Sequence, residues 1–253
     1  MKRKNFFSSI RSLPGFNSLL ASLISILCGL VVGLILLFCF NAGFAISGFG
    51  SLLFSGLSSL SKFAKVLYQA APLLMTGLSV GFAFKTGLFN IGATGQYTIG
   101  AFCALVCAIQ FQLPWWICLL AALAGGAIWG VFPGLFKATS NVNEVITSIM
   151  FNWLSLFLVN LSISNMPMML ANYWGETQMD RTAPLGKVNP SALIPRLGLD
   201  ELMGSDYMNI SILIAVAFAI VIWVILSKTT FGYELKACGY NRNASVYAGN
   251  RHG

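Results

Sequence analysis

Apolar residues in this chain come in long runs, while polar ones gather at the two ends and in one stretch past the middle. A helix needs about 20 mostly apolar residues to cross the hydrocarbon core of a bilayer. On that measure the pattern predicts six spanning helices, at 18–40, 67–84, 96–113, 115–135, 145–163 and 209–226. Segment 41–66 is milder and rich in Gly and Ser, and reads as an interfacial or re-entrant helix. Between the second and third spans lies TGLFNIGATGQYTIGA, residues 86–101. It breaks the apolar run with glycines at 87, 92, 95 and 100 and with the amides of Asn90 and Gln96.

Composition turns this pattern into a class. Only 9% of the residues are charged, 57% are apolar and the mean hydropathy is +0.79. An ordinary soluble domain carries about 25% charged residues. So few charges cannot cover a water-facing surface, and the solvent for most of this chain is lipid. The expected fold is an all-α integral membrane protein, a polytopic bundle of about six transmembrane helices with a broken helix near residues 86–96.

The net charge of +8 adds orientation. Lys2, Arg3, Lys4 and Arg11 precede the first run, and Lys228, Lys236, Arg242 and Arg251 follow the last. An excess of Lys and Arg marks cytoplasmic flanks. Both ends and the 136–144 loop are therefore expected in the cytoplasm. The 164–208 segment is expected outside, with Glu176, Asp180, Asp200, Glu201 and Asp206 against Arg181, Lys187 and Arg196. The same placement argues against nucleic acid as a partner. The first apolar run exceeds the roughly 7–15 residues of a signal peptide and no A-x-A site follows, so it reads as an anchor that stays.

Candidate chemistry is sparse. The predicted spans hold no Asp, Glu, Lys, Arg or His, which weakens a proton-coupled mechanism, since such carriers place ionisable groups within the membrane. Gly81 to Thr86 imitates a phosphate-binding loop faintly, but Phe84 stands where that motif needs Gly before Lys85. There is no H-E-x-x-H, no G-x-S-x-G and no paired carboxylate, and the sole histidine, His252, is next to last. No catalytic residue, metal site or bound cofactor is expected. Cys103 and Cys107 sit one helical turn apart without a histidine nearby and read as small apolar packing residues. Gly29 with Gly33, Gly77 with Gly81, and Gly126 with Gly130 and Gly134 have the small-xxx-small spacing of closely packed membrane helices, read as packing within one bundle.

Three stretches carry more information. In 86–101, Asn90 and Gln96 can bond freed backbone groups or a solute, and the glycines permit conformations closed to other residues. A plain cytoplasmic turn and a break facing a cavity at membrane depth both fit. In NVNEVITSIMFNW, residues 141–153, Asn141 and Glu144 form a capping-box pattern. Ser148, Asn152 and Ser155 then make a polar stripe on one helical face. That stripe serves either interhelical hydrogen bonds or the wall of a solute path. In FGYELKACGYNRNASVYAG, residues 231–249, Asn241 can cap a short helix that Gly249 ends. Such a helix lies on the membrane surface or docks into a partner.

In this order the three stretches resemble the permease subunits of bacterial ABC importers for ribose-type sugars, nucleosides and branched-chain amino acids. GLFNIGATGQ is similar to the GLFNIGAEGQ signature of that family, NEVITSIMFNW to its NEV-x-x-x-IM-x-N segment, and 231–249 to its cytoplasmic coupling segment. The first two point to the nucleoside and simple-sugar branch. Thr94 stands where that branch has Glu, so no carboxylate role carries over. The chain ends at Gly253, just after the coupling segment, where family members continue, and is expected to be C-terminally truncated.

The resemblance implies a permease that works beside a second permease subunit, two cytoplasmic ATPase subunits and an extracellular solute-binding lipoprotein. The implied division is a basic arm at 1–17, a permease domain at 18–228 and a coupling segment at 229–253. Phe89, Asn90, Gly92, Thr94, Gly95 and Gln96 would flank the translocation path. Ser148, Asn152 and Ser155 are a further candidate wall. Glu234, Gly239, Asn241, Ala244, Tyr247 and Gly249 would couple to the ATPase. Phe89, Tyr97 and Trp153 are available to stack a nucleobase. A branched-chain amino acid permease and a stand-alone channel or secondary carrier are the alternatives.

Overall fold

A computed structural model describes residues 16–177, 181–241 and 245. It forms two compact units, residues 1–63 and 64–253. Helix α1, Phe16–Phe54, makes up most of the first unit. It is two helices joined at Asn41, whose extended backbone (φ −158°, ψ 95°) interrupts the hydrogen-bond ladder. A 3₁₀ turn at Ser55–Leu57 precedes α2, Leu60–Lys85. Segment 41–66 is thus divided between the end of α1 and the start of α2. Lys62 and Lys65 fall within the first two turns of α2, ahead of the expected start at residue 67.

The other long elements are α3, Ala93–Ile109; α4, Trp115–Ser140; α5, Glu144–Ser164; and α8, Ser211–Lys228. Short helices α6, Leu185–Val188, and α7, Leu199–Met203, lie in the segment before α8, and α9, Thr230–Tyr240, follows it. Five described helices are long and apolar enough to cross a membrane, and α3 is a shorter apolar one. No strand occurs among the described residues. The 17 residues of α3 reach about 25 Å at 1.5 Å per residue, less than the roughly 30 Å of a hydrocarbon core.

Caps set the helix ends. Asn141 closes α4 in the left-handed region (φ 50°), its N–H donating to the carbonyls of Phe136 and Lys137. The N-cap of α5 is Asn143, whose side-chain oxygen accepts from Val145 N–H at 2.9 Å. This corrects the sequence expectation that Asn141 caps α5. Two asparagines close together offer the same side chain, and the left-handed turn takes the first. Glu144 pairs instead with Lys137 at 2.9 Å, tying the end of α4 to the start of α5. Each charge there sits at the helix end whose dipole favours it.

Helix α3 is the centre of the second unit and packs on α4 and α5 through glycines. A Cβ on Gly100 would lie 2.9 Å from the Ala122 carbonyl oxygen, and one on Gly125 would lie 2.6 Å from Cys103 Sγ. Gly126 and Gly130 receive Gln96 in the same way. Gly29, Gly33, Gly77, Gly81 and Gly134 meet nothing within 4 Å, so their spacing serves no close contact here. Trp129, Phe132 and Phe151 stack between α4 and α5, and the Trp129 indole donates to the Phe151 carbonyl at 3.3 Å.

At the far end of α3, Ile109 packs in a fully buried cluster with Met169, Ala183 and Val188. The buried Asn189 amide donates to the carbonyls of Ala108 and Leu113, at 2.9 and 3.0 Å. The polar segment before α8 is therefore an ordered cap over the α3 terminus. Lys187 and Glu176 form an ion pair on its surface.

Replacing Gly100 by Leu should overpack the α3–α4 seam at a cost of about 1–3 kcal/mol. Gly77→Leu, facing open space, should change stability far less. Thermal unfolding of the detergent-solubilised protein checks both, and equal melting temperatures would contradict the seam.

Candidate functional site

The break begins where α2 runs out of helical partners. Gly87 adopts φ +78°, a conformation that suits glycine, and its N–H returns to the Phe84 carbonyl at 3.2 Å. The Leu88 N–H reaches the Ala83 carbonyl at 3.0 Å, completing a glycine-terminated helix end. Past that point the backbone is irregular until Ala93. Away from water each unpaired backbone group costs several kcal/mol, so partners must come from elsewhere.

They come from side-chain amides. Asn90 Oδ1 accepts from Gly92 N–H at 2.8 Å, a local turn of the kind asparagine favours. Asn152 on α5 bonds the end of the break and the first turn of α3. Its Nδ2 donates to the Ile91 carbonyl at 3.0 Å and its Oδ1 accepts from Gly95 N–H at 2.8 Å. Ser148 and Ser155, one turn either side of Asn152, are buried against Gly92 and Gly95. A Cβ on Gly95 would lie 2.9 Å from Asn152 Oδ1 and 3.1 Å from the Phe151 carbonyl oxygen. Gly95 is thus required by close approach and not by its own backbone conformation. Thr94, Gly95 and Gln96 belong to the first turn of α3, so the irregular part is shorter than the 86–96 expected.

Beside the break lies a cavity of about 1710 Å³, lined along one face of α2 by Tyr68, Pro72, Thr76 and Phe84. Phe89, Asn90, Thr94 and Tyr97 line its end at the break. Pro72 has no N–H, so the Tyr68 carbonyl in the cavity wall lacks its helical donor. Phe84 and Phe89 meet edge to face, with ring centres 4.8 Å apart. At the opposite end are Arg196, Asp206 and Tyr207. Arg196 bonds Asp200 and Asp206, each at 3.3 Å. Lys65 sits 4.9 Å over the Tyr207 ring, and Tyr68 packs beside it. Among the described lining residues the charged ones are Arg196 and Asp206, and they pair with each other. The wall is otherwise apolar and aromatic with a few neutral polar groups, the usual make-up of a small-molecule site.

The predicted residues separate. Phe89, Asn90, Thr94 and Tyr97 line the large cavity. Asn90, Gln96 and Ser148 line a second one of about 110 Å³ behind the break. Gly92, Gly95, Asn152 and Ser155 form the seam between α3 and α5 and do not line the large cavity. Trp153 stacks on Phe157, 6.2 Å between ring centres, away from it. Glu234 and Gly239 lie on α9. Asn241 follows it, with its N–H on the Ala237 carbonyl and its own carbonyl accepting from Ser245 N–H at 3.0 Å. Ala244, Tyr247 and Gly249, with residues 1–15 of the basic arm at 1–17, lie outside the described residues.

Sequence reasoning passed over Tyr68, Pro72, Arg196 and Tyr207 as cavity residues. The proline inside a predicted span was the available signal for the first two. It also passed over Tyr233 and Tyr240, which are 74% and 89% exposed on α9. Their seven-residue spacing places them on one helical face.

The model of a family described as branched-chain amino acid transport system, permease component, matches residues 62–252. The chain is 34% identical over 236 residues to the guanosine ABC transporter permease protein NupP of Bacillus subtilis, covering 91% of this chain and 64% of that protein. It is 33% identical to the nucleoside ABC transporter permease protein NupB of Lactococcus lactis, over 91% of this chain and 63% of that one. To the glucose ABC transporter permease protein TsgB13 of Haloferax volcanii it is 30% identical, over 96% of this chain and 64% of that one. The chain thus spans somewhat less than two thirds of these relatives' length. No solved structure matches it.

Asn152→Ala should leave the Gly95 N–H and the Ile91 carbonyl unpaired, at about 1–3 kcal/mol for each group. Hydrogen exchange at the Gly95 amide should then speed up by roughly tenfold or more. Asn152→Asp keeps the acceptor and should fall between. Unchanged exchange in Asn152→Ala would show that the break holds without this amide.

Proposed function

We propose a transport role for this chain, which belongs to the family of permease components of branched-chain amino acid transport systems. It is the membrane-spanning subunit of an ATP-driven importer and carries a nucleoside, or a simple sugar, into the cell. The observation that carries this reading is the cavity that runs along α2 from the Arg196–Tyr207 end to the break at Phe89–Asn90. The break is joined in turn to α9, the helix that follows the last span. The names of the relatives, guanosine, nucleoside and glucose permeases, support the substrate class.

On this reading the Lys and Arg flanks put both ends and α9 in the cytoplasm. The segment capped by Asn189 faces outward and receives solute from a binding lipoprotein. ATP hydrolysis belongs to separate cytoplasmic subunits, a second permease subunit completes the path, and this chain needs no cofactor of its own. A nucleoside fits the wall better than a branched-chain amino acid. The zwitterion would need two charged partners, and the cavity's charged pair already bonds itself at one end.

Competition uptake in cells carrying the permease with its ATPase and binding protein tests the substrate. Unlabelled guanosine should suppress entry of labelled guanosine strongly, ribose weakly and leucine not at all. Entry of ribose but not guanosine would move the substrate to sugars, and uptake by the purified chain alone in liposomes would favour a carrier. Phe89→Ala should raise the KM for nucleosides about tenfold if its ring stacks the base, since such stacking is worth about 1–3 kcal/mol. An unaltered KM would take Phe89 out of the recognition site.

A further inference from the structure

Helix α9 carries two glycines, Gly232 and Gly239, two turns apart and therefore on one face. Both are held backbone against backbone. A Cβ on Gly232 would collide with the main chain of Ile225 and Leu226 at the end of α8. A Cβ on Gly239 would lie 2.6 Å from the Lys85 carbonyl oxygen and 2.9 Å from the Gly87 nitrogen. The contact is mutual, because a Cβ on Gly87 would lie 2.9 Å from Gly239 Cα. Gly87 is also the left-handed residue that ends α2 (φ +78°). Next to this inward stripe, Tyr233 and Tyr240 point away from the unit and are largely exposed.

At Gly239 and Gly87 the two backbones meet directly, since neither residue has a side chain to stand between them. Close-packed groups transmit displacement with little slack. Leu88, Phe89 and Asn90 follow Gly87 directly, and the last two line the large cavity. Just beyond them, the Ile91 carbonyl and then the Gly95 N–H at the start of α3 are bonded to Asn152 of α5.

We propose that the Gly239–Gly87 contact is the point at which movement of α9 is delivered to the floor of the solute cavity. Gly239 and Gly87 are positioning residues for transport. Gly239, placed by the sequence among residues that touch the ATPase, faces inward and serves the permease's own interior. The inference rests on the transport reading above.

The test uses the complete transporter in membrane vesicles, with Leu88→Cys as reporter. Labelling by a water-soluble maleimide is read at that residue by peptide mass spectrometry, without nucleotide and after trapping with ATP and vanadate. The labelling rate should differ by roughly fivefold or more between the two states. Gly239→Ala should abolish that difference and lower guanosine uptake per ATP hydrolysed about tenfold while hydrolysis persists. If Gly239→Ala fails to accumulate, the reporter with Gly239 intact still decides.

Labelling that is equal in the two states, in vesicles that take up guanosine on ATP addition, would overturn this inference and leave the transport reading standing. Native coupling in Gly239→Ala would do the same. Absence of ATP-driven uptake of guanosine and ribose by the native assembly would overturn both.

Discussion

The centre of the second unit depends on finding partners for the backbone groups of an irregular stretch. Helix α3 has 17 residues, and the chain before it is irregular. Irregular backbone is tolerated at depth only where protein or a wet cavity satisfies it. Asn152 does this for the end of the break and the start of α3 with the two ends of one amide. Its side chain can reach only because Gly95 has no Cβ and because Ser148 and Ser155 are small enough to let α3 approach. The amide, the glycine and the serines therefore form one device. Removing any of them removes the reason for the others.

That arrangement decides what is left for the cavity. The polar atoms of α5 are turned into the seam, so the wall beside it keeps aromatic rings, the Asn90 amide and the Thr94 hydroxyl. Charge is kept to one end, where Arg196 and Asp206 neutralise each other. A stripe of hydrophilic residues on a membrane helix thus need not face a solute. Here the wall of the large cavity is the more apolar surface, and the polar face of α5 is spoken for by the backbone of its neighbour.

Hydropathy made the spans legible, because whether a run prefers lipid is a property of the run itself. The break was legible for a similar reason, since glycines and amides crowd it. What stayed hidden depends on a neighbour. Sequence spacing reads Gly77 as helix packing, Gly100 as part of the break and Gly239 as an ATPase contact, yet the first opens on the cavity, the second admits a helix and the third admits a turn. Asn141 and Asn143 are equally good caps on paper, and only the left-handed end of α4 separates them. The start of α2 was missed because Lys62 and Lys65 lower its apolarity. Their side chains lie near a helix end, where long amines can reach polar surroundings.

Thr94 brings these threads together. The related signature has Glu here, and the first turn of α3 would welcome it, since a helix N-terminus favours negative charge. A carboxylate at this position would also stand in the wall of the large cavity, which Thr94 lines. Its neighbours there are Phe89, Asn90 and Tyr97, none of them cationic. Such a charge would need a partner from the solute or from another subunit. Threonine removes that demand and keeps a hydroxyl for hydrogen bonding. The helix end loses a dipole interaction of about 0.3–1 kcal/mol, but the break is held by amide bonds that do not involve residue 94. The substitution is therefore structurally cheap, and its effect falls on the cavity, whose break end stays uncharged.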